Sequence, residues 1–187
     1  SDGRLNSNFL INNAELLEHA NELQLAKNIY LALLRAGVRN ADVHLGLGRC
    51  LESNGQEDEA IRCYEESIAY EPRILAYRRL STLLIKRERF QVAAELLERA
   101  THLDGLDQAT LFELHKACGN CWMKLEDVEK AEGHYLKALQ VKPEADDVLS
   151  NVGSLYLQAG KISAARKSFY DAIEKNSDNS KAHVGLG

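Results

Sequence analysis

The chain has 187 residues, of which 45% are hydrophobic and 27% are charged, and its formal net charge is −5. This is the composition of a folded domain, and its acidic balance excludes a nucleic-acid binder that depends on bulk positive charge. No stretch approaches the ~20 apolar residues that span a bilayer, and no signal peptide is recognisable. We therefore expect no direct membrane insertion and a cytoplasmic location, unless a targeting signal preceded residue 1. Because the only methionine is Met123, we expect a fragment of a longer chain.

A small residue recurs along the chain at intervals close to 34 residues. When it is given position 8 of a repeating unit, it is found at Ala14, Gly48, Ser81, Gly119, Gly153 and Gly187. In chain order this predicts a single array over residues 1–187, with five complete units and the start of a sixth, over residues 7–40, 41–73, 74–111, 112–145, 146–179 and 180–187. The interval from Ser81 to Gly119 is the longest, and we expect the extra residues 105–111 to lengthen the first helix of unit four.

Other positions of the unit repeat with the same period. Position 20 is always alanine, at Ala26, Ala60, Ala93, Ala131 and Ala165. Position 24 is always large, at Tyr30, Tyr64, Leu97, Tyr135 and Phe169. The spacing of positions 4, 7, 8 and 11 places an apolar stripe on a first helix, and positions 20, 24 and 27 place another on a second helix. We therefore predict two antiparallel helices in each unit, with turns at Gly55 and Gly160.

This pattern resembles the tetratricopeptide repeat, which has a 34-residue period and the motif W-x2-L-G-x2-Y…A-x3-F…P. The resemblance extends over residues 7–187, although position 4, often tryptophan in the family, is leucine, histidine or tyrosine in this chain. It implies an all-α fold, a right-handed superhelical solenoid of antiparallel helix pairs. We expect the small residues at positions 8 and 20 to let helices approach closely, and the ring at position 24 to fill the groove between units.

The Gly-x-Gly of residues 46–48 could open a phosphate-binding loop. A dinucleotide-binding loop follows a strand and has a third glycine three residues after the second. In this chain Leu51 occupies that position, and the surrounding sequence is helical. We interpret Gly46 and its counterpart Gly185 instead as position 6 of their units, on the groove side. Their missing side chains are expected to leave room there for the backbone of a partner, or to have no role in binding.

Cysteines and histidines offer no convincing catalytic or metal site. Cys118 and Cys121 form a Cys-x-x-Cys motif in mid-helix, whereas a redox motif needs a helix amino terminus to stabilise a thiolate, so we interpret them as reduced core residues. His44, His115 and His183 share position 4 in alternate units, too far apart for the ~2 Å bonds of a single metal ion. We therefore predict no enzyme activity, no cofactor and no metal.

The family resemblance implies that positions 2, 5, 6, 9, 12 and 13 of the first helices line a concave groove. In this chain those positions are acidic towards the amino end and basic in the middle units. Arginine and lysine bind carboxylates through charge-assisted hydrogen bonds, so we predict a protein or peptide partner with acidic residues. The candidate partner-binding residues are Arg49, Arg78, Arg79, Thr82, Lys116, Asn120, Lys124, Asn151 and Lys181.

A narrower hypothesis concerns the clamp with which some tetratricopeptide domains hold the terminal carboxylates of chaperone tails. Four places of that clamp are matched by Lys116, Asn120, Asn151 and Lys181, but Gly185 stands where the clamp has arginine. Asparagine is common in the family at two of these places, which leaves the two lysines as the informative matches.

The sequence therefore predicts a non-catalytic protein–protein interaction scaffold that holds a peptide or helix of acidic character in its groove. Two alternatives stay open. The chain could be a targeting or regulatory arm of an enzyme whose catalytic domain lies outside this segment. It could also be a self-association module that forms a homo-oligomer through an exposed terminal repeat. We expect no nucleic-acid partner.

Overall fold

The computed structural model describes residues 6–187, so residues 1–5 of the predicted array lie outside the described part. Within residues 6–187 the regular structure is entirely helical, as predicted, and none of these helices is long and apolar enough to cross a membrane. The helices are α1 (Ser7–His19), α2 (Leu23–Arg35), α3 (Ala41–Ser53), α4 (Glu57–Tyr70), α5 (Ile74–Lys86), α6 (Phe90–Ala100), α7 (Gln108–Lys124), α8 (Val128–Val141), α9 (Asp146–Gln158), α10 (Ile162–Lys175) and α11 (Ser180–Leu186).

The turn between the two helices of each complete unit contains one residue in the left-handed region. Gly55 and Gly160 have φ values of +74° and +71°, which confirms the two turns predicted from glycine. The same place, position 15, is occupied in the other units by Asn21, Glu88 and Glu126, with φ between 57° and 61°. Glycine adopts this conformation without steric cost, whereas other residues do not. The repeat therefore imposes one turn geometry on unlike residues.

Helix α7 is the longest of the described helices, as expected from the long interval before Gly119. It begins at Gln108, so only residues 108–111 of the predicted extension lengthen it, and the predicted unit boundary at residue 112 falls inside it. Asp107 caps the helix, because its carboxylate accepts a hydrogen bond of 2.7 Å from the backbone N–H of Thr110. A side-chain cap of this kind satisfies a backbone donor that has no partner within the helix.

The chain divides into two compact units, residues 1–83 and residues 84–187, and the boundary falls within α5. In the first unit α1 packs on α2, α2 on α3 and α3 on α4, and α1 also contacts α3. In the second unit each helix from α6 to α11 packs on the next, and α9 also contacts α7 and α11. Each unit therefore buries its apolar stripes between neighbouring helix pairs.

The core of both units contains the repeating positions that the sequence indicated. The position-20 alanines have no exposed surface, and neither do the rings of Tyr30, Tyr64 and Tyr135. A Cβ atom at Gly48 would lie 2.6 Å from the ring of Tyr64, and one at Gly119 would lie 2.5 Å from the ring of Tyr135. These distances confirm that a small residue at position 8 allows a close approach, here between the first helix and the ring of the second.

The interpretation of Gly46 and Gly185 as empty places on the groove side is wrong. A Cβ atom at Gly46 would lie 2.1 Å from Cζ of Tyr30, and one at Gly185 would lie 2.3 Å from Cζ of Phe169. The position-24 ring of the preceding repeat thus packs directly against each glycine. The missing side chain makes room for the protein's own core and leaves no space there for a partner backbone.

Candidate functional site

Within residues 1–83, charged side chains at predicted groove positions form a buried network around Glu18. The carboxylate accepts hydrogen bonds from Arg49 Nε at 2.6 Å and Nη2 at 2.8 Å, and from the Tyr30 hydroxyl at 2.6 Å. The Glu18 side chain is only 10% exposed and that of Arg49 23%. Burial and the bond to Glu18 raise the pKa of Tyr30 far above its ordinary value. Arg49, a predicted partner-binding residue, is therefore already engaged by its own chain.

The same arrangement recurs around Glu52, one repeat later in residues 1–83. Its carboxylate accepts a hydrogen bond from the Tyr64 hydroxyl at 2.5 Å and forms an ion pair with Arg79 at 3.6 Å. Arg79 is 47% exposed, so this pair is worth less than the buried one. The acidic end of the predicted groove thus neutralises part of its basic middle, and the two do not form separate patches.

The other predicted residues of α5 are exposed. Arg78 lies on the surface, and the Thr82 hydroxyl donates a hydrogen bond of 2.8 Å to the backbone carbonyl of Arg78. A threonine bonded back to its own helix in this way has used its donor. Thr82 therefore offers a partner only the acceptor side of its hydroxyl.

A cavity of about 540 Å³ in the first unit has mixed charge. Its walls include the carboxylates of Glu15 and Glu18 beside Arg49 and Arg79. Because Glu18 already neutralises Arg49 and Arg79 is paired with Glu52, little positive charge is left there for an acidic partner.

Lys116 in the second unit is also paired. Its Nζ lies 3.0 Å from Glu113 and 3.3 Å from Asp147, and 5.0 Å from the centroid of the Phe112 ring. Burial alone would lower the pKa of Lys116, but the hydrogen bond to Glu113 and the charge of Asp147 raise it overall. The first lysine of the proposed chaperone-type clamp is therefore occupied.

The remaining members of that clamp form a continuous hydrogen-bonded chain. Asn120 Oδ1 accepts from the Tyr135 hydroxyl at 2.8 Å and from Asn151 Nδ2 at 3.0 Å. Asn151 Oδ1 in turn accepts from Lys181 Nζ. Three first helices, α7, α9 and α11, thus contribute one side chain each to the same polar track. The structure brings together Asn120, Asn151 and Lys181, which the clamp pattern grouped with Lys116.

This track borders a groove of about 420 Å³ in the second unit. Lys124 stands beside it, and no carboxylate lines this groove within residues 84–187. Burial and the nearby charge of Lys124 lower the pKa of Lys181, because two ammonium groups repel each other in a partly desolvated place. The lining residues are Ile85, Phe90, Ala117, Asn120, Cys121, Met123, Lys124, Asn151 and Lys181.

Not every predicted groove position is free to contact a partner. Ile11 and Leu45 at position 5 are 5% and 6% exposed, and Ser150 is 1% exposed. The expectation that positions 5 and 6 line the groove is wrong for these residues and for Gly46, which are buried.

The two cysteines of the Cys-x-x-Cys motif are free and buried. Burial raises the pKa of the Cys121 thiol to about 11, and it raises that of Cys118 further. A thiol whose pKa is raised is a poor nucleophile at neutral pH. Their interpretation as core residues is confirmed.

One polar cluster escaped the sequence reasoning. Nδ1 of His115 on α7 lies 3.2 Å from Nδ1 of His134 on α8, and Nε2 of His134 lies 3.2 Å from Oε1 of Glu98. The same Glu98 oxygen accepts a hydrogen bond of 2.8 Å from Trp122 Nε1. His115 and His134 occupy positions 4 and 23 of the same unit, and only a comparison of positions within one unit indicates that they meet.

Two sequence profiles described as "Tetratricopeptide repeat" match the chain, over residues 41–74 and 122–181. The chain belongs to the tetratricopeptide repeat family. The fold agrees with those of solved tetratricopeptide structures. A protein titled "YrrB: a TPR protein with an unusual peptide-binding site" has a TM-score of 0.81 at 24% identity, over 94% of this chain and 89% of that chain. MamA has a TM-score of 0.76 at 21% identity, over 94% of both chains. Identities this low show the shared fold alone.

Curated relatives of this tetratricopeptide chain are much longer proteins. The general transcriptional corepressor trfA of Dictyostelium discoideum is 26% identical over 146 residues, which are 76% of this chain and 10% of that protein. The human protein O-mannosyl-transferase TMTC1 is 29% identical over 182 residues, which are 95% of this chain and 20% of that protein. The similarity thus concerns only a minor part of each relative.

Proposed function

We propose that this chain is a non-catalytic protein-interaction module that binds an acidic peptide segment in the groove of residues 84–187. One observation carries the proposal. The ammonium groups of Lys124 and Lys181 stand at a groove of about 420 Å³ that no carboxylate lines within that unit. Positive groups elsewhere among the predicted residues, such as Arg49 and Lys116, are engaged by carboxylates of the chain.

A peptide carboxylate would compete for Lys181 on favourable terms. Lys181 now donates to the neutral amide oxygen of Asn151, and hydrogen bonds between two charged groups are roughly twice as strong as neutral ones. An anion would also relieve the repulsion between Lys181 and Lys124, which contributes to the lowered pKa of Lys181. The amide group of Asn120 lies on the same track and would help to orient the ligand.

The groove lining is also partly apolar. Ile85, Phe90 and Met123 contribute to it, and methionine adapts its shape to different ligand side chains. A groove lined by both ammonium groups and apolar side chains favours an acidic residue that has a large apolar residue near it in sequence. This chemistry describes the ligand more narrowly than acidic character alone.

One comparison favours the alternative of an arm attached to an enzyme. Human TMTC1 is named as a transferase, and its matching segment covers 95% of this chain but only 20% of the relative. In that case the groove would hold a partner or substrate protein, and the chemistry would reside elsewhere. Self-association stays a further prediction, which light scattering at high concentration would test.

The test is a fluorescence anisotropy titration with two labelled decapeptides. One contains two glutamates next to a leucine, and its copy has glutamines instead. The acidic peptide should bind more tightly, and added salt should weaken it because the contacts are ionic. Changing Lys124→Glu and Lys181→Glu together should weaken binding of the acidic peptide at least tenfold.

The matched control is Lys167→Glu, because Lys167 is an exposed lysine on α10 that does not line the groove. This variant should bind the acidic peptide as the unaltered chain does. Equal affinity for the two peptides, or an equal effect of the groove and control variants, would refute the proposal.

A further inference from the structure

The cluster of His115, His134, Glu98 and Trp122 fixes the tautomer of one histidine. An ionised carboxylate only accepts hydrogen bonds, and Oε1 of Glu98 lies 3.2 Å from Nε2 of His134. Nε2 of His134 must therefore carry the hydrogen. Its Nδ1 is left with a lone pair that points to Nδ1 of His115, 3.2 Å away. A hydrogen bond between the two rings then requires Nδ1 of His115 to be the donor.

The spacing of these two nitrogens also suits a shared metal ion. Two imidazole nitrogens bound at ~2.0–2.1 Å to one tetrahedral ion are about 3.3 Å apart. If His115 moves its hydrogen from Nδ1 to Nε2, both Nδ1 atoms carry a lone pair without any change in the number of bound protons. A rotation of the rings by roughly 35° then directs both lone pairs to an ion ~2.0–2.1 Å from each nitrogen. A neutral imidazole is the form that binds metals.

Glu98 supplies the outer support that ligating histidines usually have. A metal-binding imidazole commonly donates its other N–H to a carboxylate, which fixes the ring and makes it more basic. The Glu98 carboxylate is itself held by Trp122 Nε1 at 2.8 Å. Three helices, α6, α7 and α8, thus hold the pair in a defined orientation.

We propose that Nδ1 of His115 and Nδ1 of His134 bind one divalent transition metal ion of the kind imidazole prefers, such as Zn²⁺ or Cu²⁺. Among residues 6–187 no group of three His, Cys, Asp or Glu side chains is placed to hold an ion, so water completes the coordination. Glu98 acts as a positioning residue outside the coordination shell. This site is independent of the peptide groove.

One nearby cation opposes binding and provides a specific test. The ammonium group of Lys137 is a positive charge that acts on both His115 and His134, so it also repels a metal ion placed between them. Changing Lys137→Gln should therefore tighten binding. Metal bound at scattered surface histidines would not respond to this change.

The experiment is equilibrium dialysis of Zn²⁺ against the intact chain after treatment with a chelator. The unaltered chain should bind one ion. His115→Gln and His134→Gln should each weaken binding at least tenfold, and Glu98→Gln should weaken it about 10- to 100-fold, as loss of such an outer partner does. His19→Gln is the control, because His19 is an exposed histidine on α1. It should leave the affinity unchanged.

A second measurement needs no variant and therefore no assumption about folding. Substoichiometric Cu²⁺, a paramagnetic ion, should broaden the imidazole NMR signals of His115 and His134 before those of His19. Broadening of His19 first would overturn the proposal, and so would unchanged Zn²⁺ affinity in a folded His134→Gln chain.

Discussion

At the scale of the residue, the position-24 rings connect successive repeats by packing against small residues of both. Phe169 lies against Gly153 of its own unit and against Gly185 of the next, and Tyr30 lies against Gly46 in the same way. Sequence reasoning found the first kind of contact, because positions 8 and 24 belong to one unit and repeat together. It missed the second, because a period shows which residues are equivalent but not which side chain of one unit enters the next.

Replacing Gly46→Ala should therefore destabilise the fold. The added Cβ would lie 2.1 Å from Cζ and 2.4 Å from the hydroxyl oxygen of Tyr30, whose ring is buried and bonded to Glu18. Overpacking of this kind costs about 1–3 kcal/mol, measurable by urea denaturation. Gly133→Ala on α8 is the control, because a Cβ there meets nothing within 4 Å. It should stabilise by about 0.5–1 kcal/mol. Equal stability of the two variants would contradict the contact.

At the scale of the element, the repeat determines helix ends more strongly than local sequence does. Glycine at positions 55 and 160 predicts a turn, whereas Glu88 and Glu126 have no local sequence signal for the left-handed conformation that they adopt. These turns could be placed from the period but not from propensity. The greater length of α7 was likewise predictable only from the repeat, because the extra residues could be assigned to a helix only once the register of unit four was known.

Glu126→Gly should raise the free energy of unfolding. A non-glycine residue in the left-handed region costs roughly 1–2 kcal/mol, and part of this gain is offset by the greater backbone freedom of glycine in the unfolded chain. We expect a net gain of about 0.5–1 kcal/mol, read from thermal or urea unfolding. Glu129→Gly, three residues on in the first turn of α8, should instead lower the free energy of unfolding, because glycine is a weak helix former. Destabilisation by both changes would show that the turn is not strained.

At the scale of the whole molecule, repeat equivalence predicted the all-α family fold and the packing positions, but it could not predict which groove charges are free. Glu18 and Arg49 are 31 residues apart, as are Lys116 and Asp147, so these pairs join neighbouring repeats. These pairs form only where a side chain is long enough to cross the gap between first helices. The spacing of residues in the sequence does not show whether it is. The resulting pairs leave Lys124 and Lys181 as the charges of the candidate groove.

The side-chain amide NMR signals of Asn120 and Asn151 test the central claim most directly. Both amides lie on the track beside Lys181, so a carboxylate bound there must change their surroundings. Titration with the decapeptide that contains two glutamates should shift both signals, and its glutamine copy should shift them far less. The exposed Asn12 on α1 should not respond. Largest shifts at Asn12, or equal shifts with the two peptides, would contradict an acidic-peptide site in this groove.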